Sequence, residues 1–527
     1  SGKNAFGRDT SIAIIKAPRV LPRVIHIPES VSGERYHFLL LSSIIHMHFH
    51  TLFPGRDVLA YSQFRVTRDA ELAMDEEEVK NLRQALAGEL PQRAFGKPRR
   101  VEVISSCPDH LSNLLLAQFD LTESDLYRCD GPVNITRFNW LIDQIDEPAL
   151  KFSSFQPSRP ASLSHHKNIF EVLKEGDVLL HHPYQSFDPV IEFLRQAAED
   201  PDVVAIRQTV YRTGAVSGIM EALIRAAQRG KEVTAVVELM ARFDEEANIN
   251  WADQLERAGA QVIYGVFGLK THAKLALLIR REQEKLVYYT HLSTGNYHPK
   301  TTKLYSDFGL LTANQEIGHD VNEVFMHISS LSPAAKLRRL LLAPFTLHRR
   351  VLAMIRREEA NARAGKPARI IAKMNSLLEE RIILALCRAS CAGVKIDLIV
   401  RGVCALRPGV KNVSENITVR SILGRFLEHH RVWYFENNGH PDVWLSSADW
   451  MGRNLFRRIE VAFPVLDPNI RARVIEEGLL DYLHSPSWVL DENGYYKKTA
   501  PDPKHAKKQD ISAQQKLLTH FCSEGEV

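Results

Sequence analysis

The spacing of hydrophobic and polar positions predicts alternating strands and helices in the later part of the chain. The apolar stretch DVLLHH (177–182) is followed by PVIEFLRQAAED (189–200), with helical spacing, and then by VVAIRQTVYR (203–212). The alternation resumes at AGKPARIIAKMN (364–375). Short apolar strands that alternate with helices are typical of a largely parallel sheet covered on both faces. We therefore predict an α/β fold for this region.

The first 155 residues mix strand and helix signals without that alternation. SIAIIKAPRVLPRVIHI (11–27) is rich in β-branched residues, whereas DEEEVKNLRQALAGEL (75–90) has helical spacing and an acidic first turn. The polar, proline-containing segment SSFQPSRPAS (153–162) separates the two regions. We predict an α+β head domain over residues 1–155.

The chain contains a degenerate internal repeat, in which EALIRAAQRGKEV (221–233) matches LALCRASCAGVKI (384–396). Each copy continues with an apolar strand that runs into an arginine, an H-x-cation pair, and a small polar signature, LSTGN (292–296) or LSSAD (445–449). An acid follows each signature by eleven residues. The matched positions are Arg242 and Arg401, His272 and His429, Lys274 and Arg431, Asn296 and Asp449, Lys300 and Arg453, and Asp307 and Glu460.

Two copies of one α/β unit related by a pseudo-twofold axis would bring both histidines to one shared cleft, because open α/β sheets bind ligands at their strand ends. We predict repeated α/β domains over residues 156–335 and 336–505, and a tail over 506–527. The alternative is a structural duplication with surface histidines. The alignment also places His440 in a hairpin turn, so His429 is the predicted equivalent of His272.

Two imidazoles facing a phosphate suit nucleophilic phosphoryl transfer, in which one attacks phosphorus and the other serves as general acid or base. Basic side chains beside them would neutralise the charge on the phosphoryl oxygens, with arginine acting as a bidentate fork. The basic candidates are Lys274, Arg431, Arg242 and Arg401. Asp307 or Glu460 could orient an imidazole through its other nitrogen.

The H-x-K and small polar signatures resemble the phospholipase D superfamily, although Ile279 stands where that superfamily has an aspartate. Longer motifs resemble polyphosphate kinase of the bacterial long-chain type. They include VVELMARFDEEANINW, GLKTHAKLALLIRRE, HLSTGNYHPKTTKLYSDFGLLTAN, IVRGVCALRPGV and RFLEHHRVWYFENNG. The resemblance implies a head domain followed by two phospholipase-D-like domains. It also implies a helical N-terminal domain, which we expect to be missing because the chain starts abruptly.

The resemblance further implies an ATP:polyphosphate phosphotransferase that moves the ATP γ-phosphate reversibly to inorganic polyphosphate, with Mg²⁺ and a phosphohistidine. The phosphorylated residue would be His272, and His429 the second essential histidine. Tyr305 and Arg401 would contact the nucleotide. The remaining phosphate-binding candidates are Lys274, Arg431 and Asn296. Arg212 and Arg242 match the magnesium–phosphate site, where we interpret them as phosphate clamps because a guanidinium cannot ligate a metal.

The composition limits the class of protein but does not identify a reaction. A formal charge of +4 over 527 residues gives no indication of nucleic acid, and no apolar run reaches the length of a membrane span. The six cysteines form no C-x-x-C pair, which fits a cytoplasmic protein. We expect a homo-oligomer, a dimer or tetramer, with at most peripheral association at the inner face of the cell membrane. The alternative functions are a phospholipase-D-type phosphodiesterase or nuclease and an inactive polyanion-binding scaffold.

Overall fold

The computed structural model describes residues 2–3, 9–10, 12–17, 20–69, 96–163, 168–211, 214, 217–239, 245–265, 268–330, 336–499 and 512–524. The chain divides into a small unit, Ser1–Asp75 with Ala85–Ser153, and a large unit, Glu76–Gln84 with Ser154–Val527. The helix predicted over residues 75–90 lies outside the described residues. None of the helices in the described part of the chain has the length and apolar character needed to cross a membrane.

The small unit combines short strands and helices, as predicted for an α+β domain. A three-stranded sheet joins Phe64–Arg68 antiparallel to Pro98–Ile104, which runs parallel to Leu126–Cys129. Val101 and Val103 are fully buried on this sheet. The other strands are Gly2–Lys3, Asp9–Thr10, Val24–Ile27 and His37–Leu40, and the helices are Glu29–Ser32, Leu41–Met47, Phe49–Leu52, Asp109–Phe119 and Asn139–Gln144.

The first half of the large unit builds one sheet with helices between its strands. Its strands are Val178–His182, Val203–Val210, Glu232–Val237, Gln261–Ile263, Leu275–Glu282, Lys285–Ser293 and Tyr305–Thr312. Its helices are Ile169–Glu175, Asp188–Glu199, Gly218–Gln228, Glu245–Arg257 and Gln315–Ser330.

The second half repeats this arrangement. Its strands are Leu341–Ala343, Arg369–Met374, Lys395–Val400, Ile417–Ser421, Arg431–Phe435, Asp442–Ser446, Arg458–Pro464, Trp488–Leu490 and Tyr496–Lys498. Its helices are Leu347–Arg363, Glu380–Cys391, Gly452–Phe456, Pro468–Ile475 and Asp481–Leu483, with one π-helical turn at Glu476–Leu480. A C-terminal helix, Ala513–Phe521, follows.

The two sheets have the same strand order, which confirms the predicted repeat. From one edge, the first sheet places strands beginning at residues 261, 232, 203, 275, 285 and 305 side by side, and the second places those beginning at 417, 395, 369, 431, 442 and 458 in the same order. In each of these six-strand series the first three strands pair parallel and the following strands pair antiparallel. The prediction of a largely parallel sheet was therefore wrong, because each repeat closes with an antiparallel hairpin.

Each half donates one short strand to the sheet of the other. Lys270–Thr271 runs parallel to Arg458–Pro464, and Leu427–Glu428 runs parallel to Tyr305–Thr312. Apolar residues of both halves, such as Phe308 and Val432, pack in one shared core. The predicted architecture of an α+β head followed by two repeated α/β halves is confirmed. The exchanged strands end immediately before the two candidate histidines.

Candidate active site

Each candidate histidine is held by a carboxylate from the opposite half. Nδ1 of His272 lies 2.9 Å from the carboxylate of Glu460, and Nδ1 of His429 lies 2.8 Å from that of Asp307. The strand exchange brings these groups together, since Ile459 O accepts the backbone N–H of His272 at 2.9 Å. The sequence left open which acid orients which imidazole. The structure shows a reciprocal exchange that joins both histidines into one composite site.

The small polar signatures hold the carboxylates in place. Thr294 Oγ1 donates to Asp307 Oδ1 at 2.7 Å, and Ser447 Oγ donates to Glu460 Oε2. Asn454 Nδ2 donates to the other oxygen of Glu460 at 2.7 Å. Each signature therefore supplies a hydroxyl that orients the acid of its own half, and that acid orients the histidine of the other half.

Burial and charge together fix the protonation of both pairs. Burial raises the pKa of Glu460 and Asp307, but the adjacent imidazoles and cations outweigh it and hold both below their usual values. Burial lowers the pKa of His272 and His429, so both imidazoles are neutral at neutral pH. Each Nδ1–H then donates to its carboxylate, which leaves Nε2 with a lone pair. Only 11% of each histidine side chain is exposed, so both imidazoles are largely shielded from solvent.

The cations of the two H-x-cation pairs have different environments. Lys274 Nζ donates to the carbonyl of His272 and lies 5.3 Å from the ring centre of Tyr211. Arg431 donates to the carbonyl of His429 at 2.9 Å and pairs with both oxygens of Asp449 at 3.2 and 3.0 Å. Among the described residues no carboxylate pairs with Lys274. Its charge is therefore less compensated, and burial holds its pKa well below the usual value.

The free nitrogens of the two histidines also differ. Nη1 of Arg431 lies 3.2 Å from Nε2 of His429. Within the described ranges no residue makes a hydrogen bond to Nε2 of His272. The His272 ring instead stands perpendicular to the ring of Tyr211, with ring centres 4.8 Å apart. Among the described residues, His272 therefore has the less occupied Nε2.

The predicted nucleotide-binding residues lie beside His429. The ring centres of Tyr305 and His429 are 5.2 Å apart. Nε of Arg401 donates to Asn375 Oδ1 at 3.1 Å, and Nδ2 of Asn375 donates to the carbonyl of His429 at 3.3 Å. Burial, together with the charge of Arg431, lowers the pKa of Arg401, so an anion beside it would be stabilised. Sequence analysis missed Asn375, which corresponds to Tyr211 when the repeat is extended back by one strand.

Asn296 is buried beside these groups, and its Oδ1 makes no hydrogen bond to any described residue. It stands at the position of Asp449 in the repeat, but it carries no charge with which to pair Lys274. The first half therefore leaves an amide available where the second half has an ion pair.

One part of the predicted repeat was wrong. Val210 pairs with Val237 at the end of the first parallel ladder, and Met374 pairs with Val400 in the second. Arg401 follows Val400 directly, so its equivalent is Glu238 rather than Arg242. Arg212 and Arg242 lie outside the described residues. His440 is exposed in the turn between two strands, as the alignment predicted.

The described residues contain no group of three or more His, Cys, Asp or Glu side chains that could hold a metal ion. Three buried acids of the site, Asp307, Asp449 and Glu460, already bind an imidazole or a guanidinium. These residues do not form a resident magnesium cage.

The fold and the site together define a duplicated α/β unit with one composite two-histidine centre. Family models match three segments, described as the polyphosphate kinase middle domain (residues 1–141), C-terminal domain 1 (168–334) and C-terminal domain 2 (340–514). The chain therefore belongs to the polyphosphate kinase family, which confirms the enzyme class that its motifs predicted.

Individual relatives agree with this assignment. A polyphosphate kinase of Neisseria meningitidis serogroup B is 54% identical over 502 residues, which are 95% of this chain and 73% of the relative. One from Burkholderia lata is 53% identical over 528 residues, or 99% and 76% of the two chains. The crystal structure of polyphosphate kinase from Porphyromonas gingivalis superposes with a TM-score of 0.79 at 33% identity, covering 95% of this chain and 73% of that one.

Proposed function

We propose that this enzyme transfers the γ-phosphate of ATP reversibly to the end of inorganic polyphosphate through a phosphohistidine at His272. The observation that carries the proposal is the reciprocal pairing of His272 with Glu460 and of His429 with Asp307. It gives two buried neutral imidazoles, each with an oriented lone pair, in one composite site. Such a pair can attack phosphorus from one side and assist from the other.

The difference between the histidines supports His272 as the nucleophile. Arg431 occupies the Nε2 side of His429, which suits a group that assists and binds phosphate oxygens. His272 keeps its Nε2 lone pair for bond formation. Lys274, whose Nζ donates to the carbonyl of His272, can neutralise the charge of the transferred phosphoryl group. Asn296 adds an amide beside it.

Two displacements account for the reaction. In the first, Nε2 of His272 bonds to the γ-phosphorus as the bond to the bridging oxygen breaks, and ADP leaves. In the second, a terminal oxygen of polyphosphate bonds to the same phosphorus, and the N–P bond breaks. Nδ1 keeps its proton throughout. The Glu460 carboxylate stabilises the positive charge that phosphorylation places on the ring.

We propose that Tyr305 and Arg401 contact the nucleotide, and that Arg212 and Arg242 clamp phosphates. Magnesium usually binds through one or two carboxylates together with substrate phosphates. Because the acids near the histidines already bind an imidazole or a guanidinium, we propose that Mg²⁺ arrives with the phosphates of ATP. Measuring the affinity of the enzyme for ATP with and without Mg²⁺ tests this proposal.

A phosphodiesterase or nuclease is the less supported function. Ile279 is 8% exposed and lies within the strand Leu275–Glu282, so an apolar side chain fills the position of that superfamily's aspartate. Release of ADP coupled to growth of the polymer distinguishes the kinase from a hydrolase.

We propose a cytoplasmic location, with ATP, ADP and polyphosphate as partners and no nucleic acid. The predicted homo-oligomer and the peripheral contact with a membrane remain proposals. Light scattering of the purified protein and flotation with anionic vesicles test them.

Labelling with γ-³²P-ATP tests the phosphohistidine. Wild type, His272→Ala, His429→Ala and His440→Ala are incubated with the label, kept alkaline, and mapped by mass spectrometry. We expect label on His272, none in His272→Ala, and unchanged labelling in His440→Ala. Undiminished label in His272→Ala, or label on His429 in wild type, would overturn the assignment.

A further inference from the structure

We propose that the C-terminal helix positions the active site, and that Gln514 is a positioning residue for His429. The helix Ala513–Phe521 comes 84 residues or more after His429 in the chain. Its Gln514 is nevertheless 2% exposed and points at the short exchanged strand that precedes His429. The inference rests on the proposed role of His429.

Both amide atoms of Gln514 form hydrogen bonds with the backbone of Phe426, the residue directly before this strand. Its Oε1 accepts the N–H of Phe426 at 2.9 Å, and its Nε2 donates to the carbonyl of Phe426 at 2.8 Å. The same Nε2 donates to Glu428 Oε1 at 2.6 Å. A Cβ atom at Gly424 would lie 2.5 Å from Oε1 of Gln514, so glycine there leaves room for the amide. The side chain thus fixes both the backbone and Glu428.

Glu428 passes this constraint to His429. Ser306 Oγ donates to Glu428 Oε2 at 2.8 Å and accepts the N–H of His429 at 3.3 Å. The carbonyl of Ser306 accepts the N–H of His430 at 2.8 Å. Ser306 also lies between Tyr305 and Asp307 in sequence. The network therefore joins Gln514 to the segment that carries the proposed nucleotide contact and the acid of His429.

Lys373 supplies the counter-charge that makes this network possible. Its Nζ pairs with Glu428 and lies 2.8 Å from His430 Nε2 and 3.3 Å from the ring centre of Tyr482. Lys373 and Glu428 are both almost fully buried. A buried ion pair is costly unless every remaining polar group is satisfied, and Gln514 satisfies the second oxygen of Glu428.

Among its described residues the first half has no such device. Thr271 precedes His272 as Glu428 precedes His429, and Thr209 stands where the second half has Lys373. The N–H of Thr271 is bound by Glu238 of its own half at 2.7 Å. The backbone of Thr271 is therefore bound from within its own half, whereas the support beneath His429 includes the end of the chain.

Other contacts hold the C-terminal helix where Gln514 needs it. Leu517 and Leu518 pack with Tyr184, Ile422 and Phe426 in one core cluster. The backbone of Ser523–Glu524 then pairs with Phe155–Gln156 at the start of the large unit. The helix is thus fixed by apolar packing that is separate from the amide contacts.

The experiment separates positioning from packing with variants of the full chain. Gln514→Ala removes the amide, Leu517→Ala removes buried apolar volume on the same helix, and Gln515→Ala is an exposed control. Melting temperature, KM for ATP, kcat for polyphosphate synthesis and the single-turnover labelling rate are measured. We expect Gln514→Ala to lower kcat by about tenfold to 100-fold, more than it changes KM, because small misplacements of a catalytic group slow chemistry strongly.

Leu517→Ala should lower the melting temperature at least as much as Gln514→Ala, yet keep kcat within about twofold below both transitions. Equal losses of kcat in both variants, or wild-type kcat in Gln514→Ala, would overturn the proposal. Wild-type activity in His429→Ala would instead overturn the proposed function, so the two failures are distinguishable.

A paired substitution provides a second test. Gln514→Glu places a carboxylate against Glu428, and the repulsion should lower kcat further than Gln514→Ala. Adding Glu428→Gln restores a donor toward residue 514 while its amide oxygen still faces Lys373. We expect the double variant to recover about tenfold in kcat relative to Gln514→Glu, a coupling typical of residues in one network. Further loss in the double variant would count against the proposal.

Discussion

The two halves of the large unit share a strand order and an exchanged histidine–carboxylate pair, yet the residues around that pair differ. The first half has Lys274 without a carboxylate partner among the described residues, whereas the second has Arg431 paired with Asp449. The guanidinium reaches Nε2 of His429, whereas no described residue makes a hydrogen bond to Nε2 of His272. Duplication thus supplies a symmetric geometry, and the substitutions around it give the two histidines different surroundings.

The supporting layer differs in the same direction. Thr209 and Thr271 are uncharged, whereas Lys373 and Glu428, at the equivalent positions of the second half, form a buried ion pair beneath His429. Such a pair fixes geometry at the cost of desolvation, and it needs further hydrogen bonds to be tolerated. In the second half one of those hydrogen bonds comes from Gln514, outside the repeat.

The largest effect should come from the acids that orient the histidines. In Glu460→Gln the amide can donate to Nδ1 of His272, which moves the proton to Nε2 and removes the nucleophile. We expect the single-turnover labelling rate to fall about 10⁴-fold, as for other tautomer-fixing acids. Asp307→Asn should reduce labelling less, because it alters only the assisting histidine. Rapid-quench labelling measures both, and a greater loss in Asp307→Asn would reverse the assigned roles.

Arg401→Lys should have the next largest effect. Lysine keeps the charge but loses the planar fork, so transition-state stabilisation should fall by about 2–4 kcal/mol, or about 30-fold to 1,000-fold in kcat/KM. Glu238→Gln at the equivalent strand end keeps an acceptor for Thr271 and should change kcat/KM much less. Steady-state kinetics with ATP compare the two. Near-wild-type turnover in Arg401→Lys would contradict a phosphate clamp.

A third comparison uses the two signatures. A Cβ atom at Gly295 would lie 2.2 Å from Oδ2 of Asp307, whereas its equivalent in the second signature is already Ala448. Gly295→Ala should displace Asp307, lower kcat about tenfold, and destabilise the fold by about 1–3 kcal/mol, as overpacking does. Ala448→Gly should cost less than about 1 kcal/mol. Denaturant unfolding and steady-state kinetics measure both variants. Equal effects of the two substitutions would show that Asp307 does not require glycine at position 295.

The smallest effect concerns pH. The folded-state pKa of His272 lies below its ordinary value of 6.5, so the unfolded chain takes up protons first as the pH falls. Its neutral form therefore contributes stability above pH 6.5 that is lost progressively in acid. The lowered pKa of Glu460 acts in the same direction below its ordinary 4.5.

In the folded enzyme, by contrast, His272 stays neutral through pH 6.5, so labelling should show no titration there. Single-turnover labelling and thermal unfolding across pH 5 to 8 measure the two properties on one protein. An acid limb of labelling centred near the ordinary histidine value, with the fold intact, would contradict a buried neutral nucleophile.

The chain's local patterns determined much of this protein. The H-x-cation pairs, the LSTGN and LSSAD signatures and the acids after them were recognisable because spacing along a strand or turn is a property of neighbouring residues. That spacing identified His272 and His429, excluded His440, and predicted the repeat. It failed where Arg242 was aligned with Arg401, because the register between strands decides which residue reaches a strand end.

Tertiary structure alone decided how these pieces pair. Whether Asp307 orients His272 or His429 depends on the strand exchange between halves, which no local pattern encodes. The roles of Asn375, Lys373 and Gln514 depend on contacts between residues far apart in the chain. A lone buried lysine, glutamate or glutamine has no spacing signal, because burial and partner are set only when distant strands and the C-terminal helix pack together.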